Sequence, residues 1–386
     1  AFLTFGVCLG MGYSWQFALL AVFVEGLVFL ALSLTPVREA IFNCIPFTLK
    51  KAVAAGIGLF ICFIALQTAK IIVNNDAVLV GLVSFKNAPF HTQGICALLA
   101  IVGTVFTGVM MAHRVKGAIL FGIFLTWGLG MFCQALGVYV PDAEKGYFSL
   151  YPVLTFAGIA DSFAQFKQTF CAVFDPAGWT HKGDPNTGWA LVKGLDFFVV
   201  MFAFFFVDLF DTLGTLIGVS MKGGFLTKEG KLPRISGALC ADAIATSVGA
   251  VFGTSTTTTY VESASGVMVG GRTGLTGVTT AVLFLAAIVF APIFLAVPAF
   301  ATAPALIIVG YLMLSSVVEI DFNDAGEAIP AFLTVAVMPF SYSISDGIMA
   351  GVISYTLINL IAGKTKKIHW IMYVLTVVFI AKYALM

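Results

Sequence analysis

Long apolar runs separated by short polar stretches set the pattern of this chain. A helix that spans a bilayer needs about 20 predominantly apolar residues. Runs of that order recur at residues 15–34, 46–66, 94–112, 117–136, 194–219, 235–252, 273–297, 301–318, 329–340, 344–362 and 368–385. They predict an all-α polytopic membrane protein. Two further stretches, 1–10 and 254–271, are apolar or rich in small polar residues, yet too short or too rich in Gly and Thr for ordinary spans. Interrupted segments at corresponding places in two halves of a chain point to a transporter's binding site.

The halves can be matched. Gly6-Val7-Cys8-Leu9-Gly10 lies 260 positions before Gly266-Val267-Met268-Val269-Gly270. Pro46 and Gly58 lie 252 before Pro298 and Gly310, and Gly117 lies 230 before Gly347. The separation shrinks steadily, as loop deletions would make it. Paired elements fall seven spans apart, an odd number, so the copies are expected to have opposite topology. Chance matching in a chain with 39 glycines is the alternative.

Composition agrees with the pattern. Of 386 residues 60% are hydrophobic and 10% charged, against roughly 25% charged in soluble proteins; the mean hydropathy is +1.03. A formal charge of +1 suggests no nucleic-acid partner. The seven cysteines are scattered without a C-x-x-C pair and the four histidines show no ligand spacing, so neither a metal nor a cofactor is expected. The chain opens within an apolar stretch, without initiator Met, charged leader or cleavage site, and is expected to be incomplete at this end.

Basic residues cluster at Arg38, Lys50 and Lys51, at His113, Arg114 and Lys116, at Lys222, Lys228, Lys231 and Arg234, and at Lys364, Lys366 and Lys367. Counting spans puts all four groups on one face, which the positive-inside rule makes cytoplasmic. Residues 137–193 then lie outside, with turn material in Asp175-Pro176-Ala177-Gly178 and Gly183-Asp184-Pro185-Asn186.

The candidate chemistry is acidic. An acid at mid-bilayer costs at least ~2.5–3.5 kcal/mol, so it normally faces a polar cavity. Asp211 stands inside the run 194–219, followed by Thr212, Gly214, Thr215 and Gly218, a small polar stripe on which a flat ligand or another backbone can lie. Asp208 is one turn earlier. Either acid could instead serve only as an interhelical hydrogen-bond partner. The second constellation, Gly253-Thr254-Ser255-Thr256-Thr257-Thr258-Thr259-Tyr260-Val261-Glu262-Ser263, favours extended backbone through its β-branched residues. At membrane depth such a piece must line a protein cavity, with Glu262 in the first turn of a half-helix beyond it. A surface loop with Glu262 as a plain charge is the alternative.

The strings Phe206-Val207-Asp208-Leu209-Phe210-Asp211-Thr212-Leu213-Gly214-Thr215-Leu216, Thr257-Thr258-Thr259-Tyr260-Val261-Glu262-Ser263-Ala264-Ser265-Gly266 and Gly270-Gly271-Arg272-Thr273-Gly274-Leu275 resemble the nucleobase:cation symporter-2 family, in its AzgA-like adenine/guanine/hypoxanthine permease branch. The resemblance runs over essentially the whole chain. It implies a seven-plus-seven inverted repeat with core and gate domains, two short strand/half-helix elements crossing at mid-membrane, and proton-coupled purine uptake by alternating access at the cell membrane. It divides the chain into core (1–35, the third and fourth spans), gate (36–136), external loop (137–193), core (194–297) and gate with a C-terminal apolar segment (298–386). It carries substrate contact to Asp211 and Glu262, with Val261 and Phe2 as backbone contacts and Thr215 on the same face; Glu262, Asp211 and Asp208 are the proton-coupling candidates. The expected partners are a purine base, the lipid bilayer and a second copy through the gate domain. The family begins with two more spans and places an Asn before the Ala1-Phe2 match, and the loop around 163–193 is longer than the branch leads one to expect.

Other classes fit less well. A carrier of another small anion, or of uracil or xanthine, would share the architecture; an anion carrier is expected to have a soluble domain where this chain has 368–385. An intramembrane enzyme would need an H-E-x-x-H or a G-x-S-x-G with a partner His, and the sequence has neither. A channel remains a rival in principle.

Overall fold

A computed structural model describes residues 2–35, 37–75, 77–86, 88–152, 156–182 and 188–385. Ala1, Pro36 and the expected turn Gly183-Asp184-Pro185-Asn186 fall outside these, and of Phe2 only the backbone is described. In chain order the helices are α1 (Trp15–Ser33), α2 (Val37–Cys44), α3 (Phe47–Thr68), α4 (Ile95–Ala112), α5 (Ala118–Ala135), α6 (Phe156–Thr169), α7 (Trp189–Val192) and α8 (Leu195–Gly223). There follow α9 (Ile235–Val251), α10 (Ser263–Val269), α11 (Gly274–Val289), α12 (Ala291–Phe294), α13 (Ala299–Leu314), α14 (Ala325–Ser341), α15 (Ile344–Ile361) and α16 (Trp370–Leu385). Seven are long and apolar enough to cross a membrane, and four shorter apolar helices accompany them among the described residues. The expected all-α polytopic architecture is therefore present.

Local chemistry sets the helix ends. Ser14 and Ser343 cap α1 and α15 by accepting the N–H of Phe17 and Asp346, which satisfies donors that the first turn leaves free. Gly224 ends α8 in the left-handed conformation, at φ 65°, where glycine carries no steric cost. The single span expected over 273–297 divides at Phe290, because Pro292 has no N–H for the helix ladder and its ring crowds the carbonyl four residues back.

The expected strand/half-helix pair is not what forms. Phe2–Gly10 is a π-helix rather than a strand, and the threonine segment before α10 belongs to no ladder. A strand needs a partner edge for its N–H and C=O groups; the threonine segment finds side chains instead, as described below. Among the described residues the strands are β1 (Ile72–Asn75) and β2 (Leu79–Leu82), an antiparallel hairpin with Ile72 opposite Leu82.

The chain forms two compact units: residues 1–54, 163–267 and 316–386, and residues 55–162 and 268–315. In the first, α1 packs on α8 and α9, over a core of Val7, Phe17, Val22, Trp179, Phe204 and Ala250. A Cβ on Gly26 of α1 would lie 2.8 Å from the backbone N of Ser247 in α9, so only glycine lets these helices approach. In the second unit Gly58 of α3 and Gly310 of α13 press on each other, a Cβ on Gly58 falling 2.6 Å from the Gly310 carbonyl oxygen. In lipid the packing of small residues, not exclusion of water, drives such contacts.

Two buried hydroxyls at helix contacts are satisfied within their own helices. Thr107 donates to the carbonyl of Gly103 at 2.7 Å and Thr334 to that of Pro330 at 2.8 Å. Both threonines then pack on a glycine of the following helix, Thr107 on Gly122 and Thr334 on Gly351.

Candidate functional site

Helix α8 carries three of the expected site residues, Asp208, Asp211 and Thr215, and Thr212 of the polar stripe. Asp208, Thr212 and Thr215 are buried, and Asp211 is half-buried. The two aspartates, one turn apart, serve different neighbours. Charged groups acting on Asp211 include Asp346 of α15 and Lys382 of α16, themselves 3.8 Å apart. Beside it Phe210 stacks edge-on against Phe379 of α16, centroids 4.8 Å apart. The Thr215 hydroxyl donates within α8, to the carbonyls of Asp211 (2.9 Å) and Thr212 (3.1 Å).

Asp208 instead faces α1 and α9. There it meets Glu25, whose carboxyl is fully buried and within hydrogen-bond reach of the Asp208 carboxyl. Asp242 of α9 completes the group. It accepts from the Thr212 hydroxyl, 3.2 and 3.1 Å from its two oxygens, and from the Thr259 N–H. It also pairs with Arg38 of α2 at 3.4 Å. The guanidinium is only 1% exposed; it donates to Ser33 Oγ (2.9 Å) and the Leu239 carbonyl (3.3 Å), and lies 4.1 Å from the Phe29 ring centroid. Three carboxyl groups thus share the field of one buried cation, which is paired with Asp242. Among the described residues Glu25 Oε1 and Oε2 and Asp208 Oδ2 meet no donor.

The threonine segment is bound to the same bundle. Thr257 donates its N–H to Thr246 Oγ1 of α9 (3.3 Å) and accepts that hydroxyl's proton at its carbonyl (3.2 Å). With the Thr259–Asp242 bond this holds a non-ladder stretch half-buried along α9. Val261, at its end, is buried, and its carbonyl accepts the Ala264 N–H. Glu262 is exposed, and its carbonyl accepts from Ser265 Oγ at 2.7 Å.

The expected residues therefore separate. The structure brings Asp208 together with Thr212, and both with Glu25, Asp242 and Arg38, which sequence reasoning did not select. Among the described residues neither a hydrogen bond nor an ion pair joins Asp211 to Glu262. Glu25 and Asp242 carried a legible signal, since each is an acid inside a predicted span and subject to the same insertion cost. A cavity of about 420 Å³ opens in the second unit, lined by Lys70, Cys96, Tyr139, Tyr147 and Phe300 among others. It contains none of the acidic residues and lacks chemistry that would distinguish a substrate.

A model described as "Permease family" matches residues 1–350 of the chain. Guanine/hypoxanthine permease PbuG of Bacillus subtilis is 42% identical over 367 residues, covering 95% of this chain and 75% of the relative. Guanine/hypoxanthine permease PbuO of the same organism is 39% identical over 370 residues (95% and 77%). Adenine permease AdeP of Escherichia coli is 36% identical over 384 residues (99% and 77%).

Proposed function

The chain belongs to the permease family, and from that premise we propose that it is a secondary active transporter of purine nucleobases, driven by protons and working by alternating access. It is a multi-pass protein of the cell membrane, and its work is transport rather than catalysis of a reaction. The observation that carries the reading is the likeness over nearly the whole chain to permeases named for guanine, hypoxanthine and adenine. Asp211 is the side chain on which recognition turns: it is half-buried on a stripe of small and hydroxylated residues.

A purine edge offers ring N–H, amino and carbonyl groups. A carboxylate accepts two hydrogen bonds from such an edge, and backbone N–H groups answer its acceptors. Each polar group left unpaired in a dry site costs about 1–3 kcal/mol, which is how the site rejects pyrimidines. In this reading Asp211 and Glu262 hold the base, Val261 and Phe2 contribute backbone, and Thr215 lines the site. Glu262 lies outside the buried network, so the reading requires a substrate-bound arrangement in which it turns toward Asp211. No cofactor takes part.

Repetition supports an inverted-repeat architecture for this carrier. The Thr107–Gly122 contact between α4 and α5 recurs as Thr334–Gly351 between α14 and α15, 227 and 229 positions later. Gly58 and Gly310, matched by sequence, touch each other, as equivalent residues on a pseudo-two-fold axis do. Residues 1–35 and 194–297 would form the moving core, with 36–136 and 298–386 as the gate and the dimer contact. The test is uptake of labelled hypoxanthine by cells lacking their own purine carriers. Adenine, guanine and hypoxanthine should compete, and competition by uracil or xanthine alone would replace the purine reading.

A further inference from the structure

We propose that Glu25 of α1 and Asp208 of α8 hold one shared proton between them, and that this buried pair is the site that loads and releases the transported proton. The inference rests on the transporter reading above and names the group behind its coupling. Three observations carry it. First, the two carboxyls are in hydrogen-bond reach of each other, 0% and 1% exposed, and among the described residues three of their four oxygens meet no donor. Two carboxylate anions in contact repel, whereas one proton between them turns the contact into a hydrogen bond.

Second, the other charged groups around the pair are already engaged. Asp242 of α9 is bound by Arg38 of α2, the Thr212 hydroxyl and the Thr259 N–H. Asp211 of α8 acts on Asp208 at longer range and has its own neighbours in Asp346 and Lys382. Among the described residues the cation acting on both members of the pair, Arg38, is committed to Asp242. A proton is therefore the ion this place lacks, and among the described residues no group of acids is arranged to hold a metal.

Third, the pair is joined to the moving parts. Asp208 is one turn from Asp211 on α8. Thr212 lies 3.5 Å from Asp208 and bridges to Asp242, which grips the threonine segment leading to Glu262. A shift of that segment on substrate release loosens the hydrogen bonds that fix Asp242 and Thr212, and so changes the surroundings of the shared proton. A carboxyl O–H then gives its proton to water on the inner side, and the carboxylate takes one from water on the outer side.

Glu25→Gln supplies a permanent N–H donor to Asp208 in place of the acid proton. One proton moving inward with 100 mV supports about 50-fold accumulation of a neutral base. In proteoliposomes Glu25→Gln should lose that accumulation and its dependence on pH, while exchange of labelled for unlabelled hypoxanthine continues. Accumulation that stays pH-dependent in Glu25→Gln would overturn the proposal. Absence of hypoxanthine exchange in the unsubstituted protein would sink the transporter reading instead, so the two failures are distinct. Infrared spectroscopy of the unsubstituted protein at neutral pH gives an independent readout should the variant fail to insert. A carboxylic-acid C=O band that vanishes in Asp208→Asn is expected, and its absence from the unsubstituted protein, or its persistence in Asp208→Asn, refutes a shared proton.

Discussion

Replacing Arg38 by Met should be the most damaging single change in the acidic bundle. The guanidinium is 1% exposed and holds Asp242 at 3.4 Å, while Asp242 is itself 7% exposed. Removing it leaves one buried carboxylate beside two further acids, with the Thr212 hydroxyl and the Thr259 N–H as its donors. Breaking a buried pair by deleting one partner costs about 3–5 kcal/mol, or two to four powers of ten in the folding equilibrium. An exposed pair is worth about 0–1 kcal/mol and weakens with salt. Asp242→Asn should cost less, because Glu25 and Asp208 remain to receive the field of Arg38 and the amide oxygen still accepts from Thr212. Adding Asp242→Asn to Arg38→Met should therefore recover much of the loss. The assay is reversible unfolding in micelles titrated with sodium dodecyl sulfate, at low and high salt, over the four members of the cycle. A cost for Arg38→Met below about 1 kcal/mol would assign it to the exposed class. Strict additivity in the double variant would likewise show that the two side chains do not stabilise each other.

Three further outcomes follow from particular contacts. Gly58→Ala should destabilise by about 1–3 kcal/mol, because its Cβ meets backbone of α13 that cannot give way; Gly108→Ala, with open space around it, should stabilise by up to about 1 kcal/mol. The same unfolding titration measures both. Asp211→Asn should abolish binding of hypoxanthine to purified protein, read by calorimetry, with the fold intact by circular dichroism; retained affinity would remove Asp211 from the site. Asp324, which accepts from Lys364 at 2.9 Å, Lys367 at 3.1 Å and the Gly326 N–H, is held down at about 2 from 3.8. A depressed carboxyl stabilises the fold above its unfolded value and loses that contribution as pH falls toward its folded one. The link between the start of α14 and the turn around Lys364 should thus hold above about pH 4 and loosen between 4 and 2, seen as faster proteolysis at that turn.

Span placement was legible because twenty-residue apolar runs have few alternatives. The run 117–136 became Ala118–Ala135 and 235–252 became Ile235–Val251. Short elements between spans, such as α2 and the hairpin Ile72–Leu82, carry no such periodicity and were not anticipated. The composition of the threonine segment marks it as non-helical backbone lining protein, but does not show that Thr246 and Asp242 tie it to α9. Such partners lie about a dozen residues away or come from side chains, so no local propensity encodes them. In the sequence Arg38 is a loop charge that sets orientation; its long side chain instead reaches back to the α1–α9 contact. Glu25 lies in so uniform an apolar run that it passed as part of a span. Its meaning appears only when α8 brings Asp208 against it.

Counterflow distinguishes a purine carrier with one substrate site from a pore. Proteoliposomes loaded with unlabelled hypoxanthine are diluted into a trace of labelled hypoxanthine, with no proton gradient imposed. A transient overshoot of label inside the vesicles is expected, because outgoing base returns each site loaded with label. Label that only equilibrates, or never enters, would contradict a carrier.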